Sequence, residues 1–266
     1  MTSGTRIAAY ERGPHDAPPV LLVHGLGHWT AAAWDRLAPE LETRHRLVAF
    51  DLPGFGDSDK PDVAYDLPFF VDALRQVADA FDLRRFALVG HSLGGLIAAE
   101  YAGLAPERVA SLGLIDPAGF TRSGRLVLLM LASAPASRLF RARPSDGLVR
   151  RVLRRALYDP AQLERATAER ACALAHEAGV IRAFARVYAG GFAQLGRMRA
   201  LHAGFTRYQG PVALLWGRHD RYISVRSLEA ARRVYPRART SIFERSAHLP
   251  AVEEPAAVAA ALSAIL

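Results

Sequence analysis

The run Phe86-Ala-Leu-Val-Gly90, leading into His91-Ser92-Leu93-Gly94-Gly95 and then Leu96-Ile-Ala-Ala-Glu100, constrains this chain more than any other stretch. Its apolar start lacks polar alternation, so it reads as a strand covered on both faces. The turn that follows holds a serine between glycines, the residues that tolerate close backbone approach and positive φ. Strained turns of this kind persist where chemistry uses them. The helix-like continuation aims its N-terminus at Ser92, where the helix dipole favours developing negative charge. This strand–turn–helix setting is what a G-x-S-x-G nucleophile elbow requires.

The same grammar repeats along the chain. Val/Leu/Ile-rich runs at 20–24, 47–51, 86–90, 109–115, 212–216 and 240–243 read as parallel strands, and 6–11 as an antiparallel edge strand. Helical periodicity fills 31–41, 69–81, 93–105, 225–235 and 255–266. Strands alternating with helices predict an α/β fold, a mostly parallel twisted sheet flanked by helices. With 266 residues, 51% of them hydrophobic, one large core is available to it. After Asp116 the alternation stops, and up to about Phe205 the sequence is helix-like without a strand. The expected organisation is therefore a core of 1–116 and 206–266 with a helical cap inserted at 117–205. Within that insertion 126–131, with Pro135 and Leu139-Phe140, is strongly apolar. Burial against the core is expected of it, with contact to acyl chains or a membrane surface as the alternative.

A serine hydroxyl needs a base for its proton, and the base needs an acid to orient it. His248 is the candidate base, in Glu244-Arg-Ser-Ala-His248-Leu-Pro250 just past the last strand-like run. His91 is expected to point elsewhere; His24, His28 and His219 belong to other loops, and His15, His45, His176 and His202 to surface or helix positions. Asp220, in Trp216-Gly-Arg-His-Asp220, is the candidate acid and completes the chain order Ser92, Asp220, His248. Asp116, at another strand end, is the alternative acid, since open α/β sheets gather their sites at that edge. A tetrahedral intermediate also needs preorganised N–H donors. The backbone N–H groups of Leu93 and of Leu26, in His24-Gly25-Leu26-Gly27, are the candidate oxyanion hole.

Taken together, HGLG at 24–27, DLPGFGDSD at 51–59, GHSLGG at 90–95, WGRHD at 216–220 and AHLP at 247–250 resemble the capped α/β-hydrolase superfamily. The resemblance covers nearly the whole chain. It implies a carboxylic ester hydrolase, cleaving an ester or thioester of a small to medium apolar acyl group through an acyl-enzyme. Relatives with aspartate at the elbow open epoxides or displace halide, and Ser92 argues against both. A branch that hydrolyses carbon–carbon bonds of dienoic ring-cleavage products is the alternative; it usually carries Trp where Leu249 stands. A ligand-binding protein without turnover is the reading from a different class, because fold does not set function. In the 51–59 loop, Asp57 and Asp59 are expected to make local hydrogen bonds in a structural turn. Phe120, Phe140, Phe184, Tyr188, Phe192 and Phe205 read individually as core packing and together as a possible apolar substrate site, so the substrate-binding residues stay open.

Charge narrows the partners. The net charge is +8, and residues 117–207 hold sixteen Arg against five acids. Solvated helix faces account for most of this, and no nucleic-acid motif accompanies it. The pairs Arg150-Arg151 and Arg154-Arg155 carry a second reading, recognition of an anionic substrate or an acidic carrier protein. There is no zinc-ligand spacing and no dinucleotide fingerprint, so no cofactor or metal is expected. Cys172 is the single cysteine and reads as a buried small apolar residue in a helix. With no apolar run of spanning length and no leader pattern, a small-molecule enzyme of the cytoplasm is expected.

Overall fold

The structure, a computed structural model, describes residues 4–27, 31–121, 144–195 and 198–266. One sheet holds β1 (Ala9–Arg12), β2 (Pro19–Val23), β3 (Arg46–Phe50), β4 (Phe86–His91), β5 (Val109–Ile115), β6 (Val212–Gly217) and β7 (Arg239–Phe243). Their order is β1-β3-β2-β4-β5-β6-β7, with β1 antiparallel to β3 and the other pairs parallel. This is the expected fold class. The inner strands β2 to β6 are buried on both faces, and their successive side chains point to opposite sides. Leu21, Val23, Val48 and Phe50 enter one core, while Val20, Leu22, Leu47 and Ala49 enter the other.

Helices close each face. On one side lie α2 (Leu67–Ala80), α3 (Leu93–Leu104) and α8 (Ser227–Val234); on the other lie α1 (Ala38–Leu41), α9 (Pro250–Glu253) and α10 (Pro255–Ser263). Asp66 caps α2 by accepting the Phe69 N–H, so the helix starts two residues earlier than its periodicity predicts. The helix expected over 31–41 is instead a 3₁₀ turn, Ala31–Trp34, followed by α1. Pro39 explains the break: it has no N–H for the turn before it, yet suits the first turn of a new helix.

Residues 6–8, expected in the edge strand, serve the 51–59 loop instead. Asp59 accepts the Arg6 N–H at 2.8 Å and Ser58 Oγ accepts the Ala8 N–H at 2.9 Å, leaving only 9–12 to pair with β3. The expected local bonds are present, Asp57 N–H to Asp51 Oδ2 and Gly54 N–H to Asp59 C=O, but the two carboxylates also reach beyond the loop. Asp57 accepts the Tyr10 hydroxyl at 3.1 Å and pairs with Arg170 at 2.5 Å, a partner 113 residues away.

Between β5 and β6 the described residues form α4 (Asp146–Ala156), α5 (Arg165–Ala175), α6 (Ala178–Leu195) and α7 (Met198–Phe205), without a strand. Arg170–Asp57, Lys60–Glu177, Arg186–Asp62 and Arg36–Glu164 fasten these helices to the sheet-bearing part of the chain. Cys172 is buried beside Val149, Leu153 and Ala175, as expected, and burial pushes its thiol up from its ordinary pKa. Phe120 and Phe205 are core residues, whereas Phe184 is half-buried and edge-on to Phe55. The apolar stretch 126–131 with Pro135, Leu139 and Phe140 lies outside the described residues, as do the side chains of Tyr188 and Phe192. Among the described residues no helix is long and apolar enough to cross a membrane.

Candidate active site

Ser92 joins β4 to α3 with φ +54° and ψ −115°, a left-handed backbone that a serine adopts only under constraint. The constraint is visible. Its N–H donates to Ile115 C=O at 3.0 Å, and its own C=O accepts from Leu96 and Ala118. A Cβ at Gly94 would collide with the Val23 carbonyl oxygen, so only glycine lets α3 lie this close to β2. Ser92 itself is buried, with 9% of its surface exposed.

The loops after β6 and β7 are zipped together and deliver two side chains to the serine. Arg218 N–H donates to Phe243 C=O and His219 N–H to Ser246 C=O, extending the strand pairing outward. Gly217 is the close approach here, since a Cβ on it would collide with the Ala247 carbonyl oxygen. The result is one hydrogen-bonded chain. Ser92 Oγ lies 3.0 Å from His248 Nε2, and His248 Nδ1 lies 2.7 Å from Asp220 Oδ2. Asp220 Oδ1 accepts the Tyr222 and Ile223 N–H groups at 2.7 and 2.9 Å, which sets the carboxylate plane. Burial raises the Asp220 carboxyl, but the facing His248 and those two N–H groups outweigh it and hold it below its ordinary pKa.

The glycine-rich loop after β2 lies against the serine. A Cβ on Gly25 would come within 2.9 Å of both Ser92 Cβ and His91 Nδ1, and half-buried Leu26 follows directly. Leu93 opens α3, where the first N–H groups of a helix have no intrahelical partner. Asp116, the alternative acid, does not contact His248 through a hydrogen bond; its Oδ1 accepts the Gly217 N–H at 2.9 Å.

Two histidines excluded by sequence reasoning belong to the site. The Leu52 N–H donates to His24 Nε2 at 2.8 Å, so the ring proton sits on Nδ1 and is donated to Gly25 C=O at 2.7 Å. His24 thus holds the glycine-rich loop, and burial keeps its pKa low despite nearby Asp51. His91 Nε2–H donates to the His248 carbonyl at 2.6 Å, which pins the backbone of the candidate base. Burial, and then His248, push the His91 pKa down to about 3. The signal available for both was a histidine beside glycine at the end of a buried strand, where no water is at hand. A nitrogen of His91, one of His248 and an oxygen of Asp116 lie within 4.8 Å of one another. Both His248 nitrogens are already engaged by Ser92 and Asp220, which leaves none for a metal.

A pH effect follows from His91. Its folded pKa lies below the ordinary 6.5, so its contribution to stability is complete above that value and is lost as pH falls towards about 3. His91→Gln keeps an N–H donor and removes the titration. Its melting temperature is expected to fall less between pH 7 and pH 4 than that of the parent chain. Parallel slopes in thermal melts would refute this assignment.

The helix α4 is tied to the same loops. His248 N–H donates to Ala156 C=O, the Tyr222 hydroxyl donates to Val152 C=O, and Tyr158 stacks on His219 at 4.6 Å. Buried Glu253 accepts N–H groups from Tyr158, Asp159 and Ala247, bridging the end of α4 to the His248 loop.

Comparison with known proteins agrees with this architecture. The family model described as alpha/beta hydrolase fold matches residues 18–255. An uncharacterized protein of Mycobacterium tuberculosis is 29% identical over 253 residues, covering 90% of this chain and 72% of its own. The crystal structure of a bacterial membrane phospholipase A superposes with TM-score 0.78 at 34% identity, over 98% of this chain and 82% of that one. A 2-hydroxy-6-oxo-6-phenylhexa-2,4-dienoate hydrolase from Rhodococcus superposes with TM-score 0.80 over 98% of each chain; at 22% identity that likeness concerns the fold alone.

Proposed function

The chain belongs to the alpha/beta hydrolase fold family, and from that premise we propose that it is a serine hydrolase cleaving a carboxylic ester or thioester of a small to medium apolar acyl group. The observation that carries this reading is the unbroken chain from Ser92 Oγ through His248 to Asp220. His248 Nε2 takes the serine proton as Ser92 attacks the acyl carbonyl. Asp220 keeps the other proton on Nδ1 and stabilises the imidazolium that forms. The oxyanion is met by the backbone N–H groups of Leu26 and Leu93, with the dipole of α3 behind the latter. The leaving alcohol or thiol receives the proton from His248, and water then repeats the sequence on the acyl-enzyme. The phospholipase A that is 34% identical to this chain supports an ester as the bond cleaved.

The test is labelling with a fluorophosphonate, followed by turnover of a panel of p-nitrophenyl esters of increasing acyl length, acyl thioesters and a dienoic ketone. Labelling at Ser92 with ester or thioester turnover is expected. Turnover of the dienoic ketone alone would move the assignment to carbon–carbon cleavage. An unlabelled protein with no turnover would make it a binding protein.

The arginines of α4 favour an anionic group on the substrate or on an acidic carrier protein. Arg170 and Arg186 have carboxylate partners, but the side chains of Arg150, Arg151, Arg154 and Arg155 make no ion pair or hydrogen bond among the described residues. Only Asp146 on that helix is acidic. Replacing all four with alanine is expected to raise KM for an acyl group borne on an acidic carrier by about tenfold or more, while a neutral ester changes less than about twofold. An unchanged ratio of the two activities removes the carrier reading.

A further inference from the structure

Asp116 is a buried ionisable group that the proposed reaction does not use. It follows β5, has no exposed surface, and adopts φ +43°, rare for a residue with a side chain. Its N–H donates to Leu215 C=O and its Oδ1 accepts the Gly217 N–H, both at 2.9 Å. It therefore grips β6 three residues before Asp220. Its other oxygen, Oδ2, is buried and has no hydrogen-bond partner among the described residues.

Counting acceptors shows what is missing. Asp220 Oδ1 receives two N–H groups, whereas Asp220 Oδ2 receives only the His248 Nδ1–H. An ionised carboxylate oxygen accepts two hydrogen bonds, so one position on Asp220 is unfilled. The Asp116 and Asp220 carboxyls are side-chain neighbours, and two carboxyl oxygens meet favourably only through a shared proton. The surrounding groups agree. Burial and the Asp220 charge push the Asp116 pKa well above its ordinary value, the Asp220 side chain and Glu253 add to this, and the Gly217 N–H opposes it. His91, packed nearby from β4, is itself held neutral by burial.

We propose that Asp116 is a positioning residue for the Asp220–His248 pair, working as a neutral carboxylic acid whose Oδ2–H is donated to Asp220 while Oδ1 holds Gly217. It fixes Asp220 from a third direction and adds no second negative charge beside the imidazole. The role depends on the reading of Ser92, His248 and Asp220 given above.

Two substitutions and one spectroscopic readout test it. Asp116→Asn can keep both bonds, accepting from Gly217 with its oxygen and donating to Asp220 with its amide. It is expected to stay within about fivefold of the parent kcat on a p-nitrophenyl ester, with the acid limb of kcat/KM unmoved within about 0.2 pH unit. Asp116→Ala is expected to lose about 10- to 100-fold in kcat with KM within about twofold. The infrared difference spectrum of the parent minus Asp116→Asn at pH 7 should contain the carbonyl band of a protonated carboxylic acid. Absence of that band overturns the proposal. So does an acid limb displaced to lower pH in Asp116→Asn, because loss of a real negative charge would make His248 harder to protonate. Equal damage from Asn and Ala, or none from Ala, overturns it as well. Should Asp116→Ala fail to fold, the infrared band and the Asn variant decide. A parent protein without esterase activity would count against the proposed function, while the band would still report the state of Asp116.

Discussion

Ser92→Ala is expected to lower kcat on a p-nitrophenyl ester by about three to six orders of magnitude and to abolish fluorophosphonate labelling, with KM changed little. The size follows from the geometry. Ser92 Oγ is the group 3.0 Å from His248 Nε2, and removing it leaves the base with no hydroxyl to activate. What remains is the contribution of binding and of the proposed N–H donors at Leu26 and Leu93, which would help water attack directly and set a floor of about 10³–10⁴ over the uncatalysed reaction. Folding should be intact, because the strained backbone at residue 92 is held by Ile115, Leu96 and Ala118 through main-chain atoms. Alanine keeps those bonds. Circular dichroism and melting temperature serve as the control, and a variant that is folded yet retains more than about a tenth of the parent kcat would exclude Ser92 as the nucleophile.

Asp220→Asn is expected to cost about 10⁴ in kcat through the wrong histidine tautomer. Tyr222 and Ile223 N–H groups both point at Oδ1, so the amide oxygen must take that side. The amide NH₂ then faces His248 Nδ1, which is forced to accept. The imidazole proton moves to Nε2, where it points at Ser92 and cannot take the serine proton. Steady-state kinetics with a matched melting temperature would check this. A loss below about tenfold would mean that Asp220 is not what orients His248.

The strands and the turn at Ser92 were legible because each is written in neighbouring residues. Unbroken apolar runs and glycine on either side of a serine are local patterns, and the mostly parallel sheet they predict is observed, with its edge strand shortened to 9–12. Helix 31–41 failed at Pro39, a local signal that the periodicity reading passed over. What the local reading of Asp57 and Asp59 left out has another cause. Their partners, Arg170 and Arg6, lie 113 and 53 residues away, and no spacing within the loop announces them.

His24, His91 and Asp116 divide along the same line. Sequence places each at the end of a buried strand, offers Asp116 as an alternative acid, and names no partner for any of them. That His91 reaches the carbonyl of His248, 157 residues on, follows from strand order and from how β6 and β7 stack their loops at the sheet edge. Burial there removes water, so every polar group must find a protein partner, and which partner it finds depends on the packed geometry. By itself, then, the sequence determined an α/β sheet, a serine on a glycine-flanked turn, and the order Ser92, Asp220, His248. Tertiary structure alone decided which other histidines hold the loops around that serine, what Asp116 grips, and which arginines remain without a carboxylate among the described residues. Local propensity acts between neighbours in the chain, whereas proton and charge partners are chosen by proximity in the folded core.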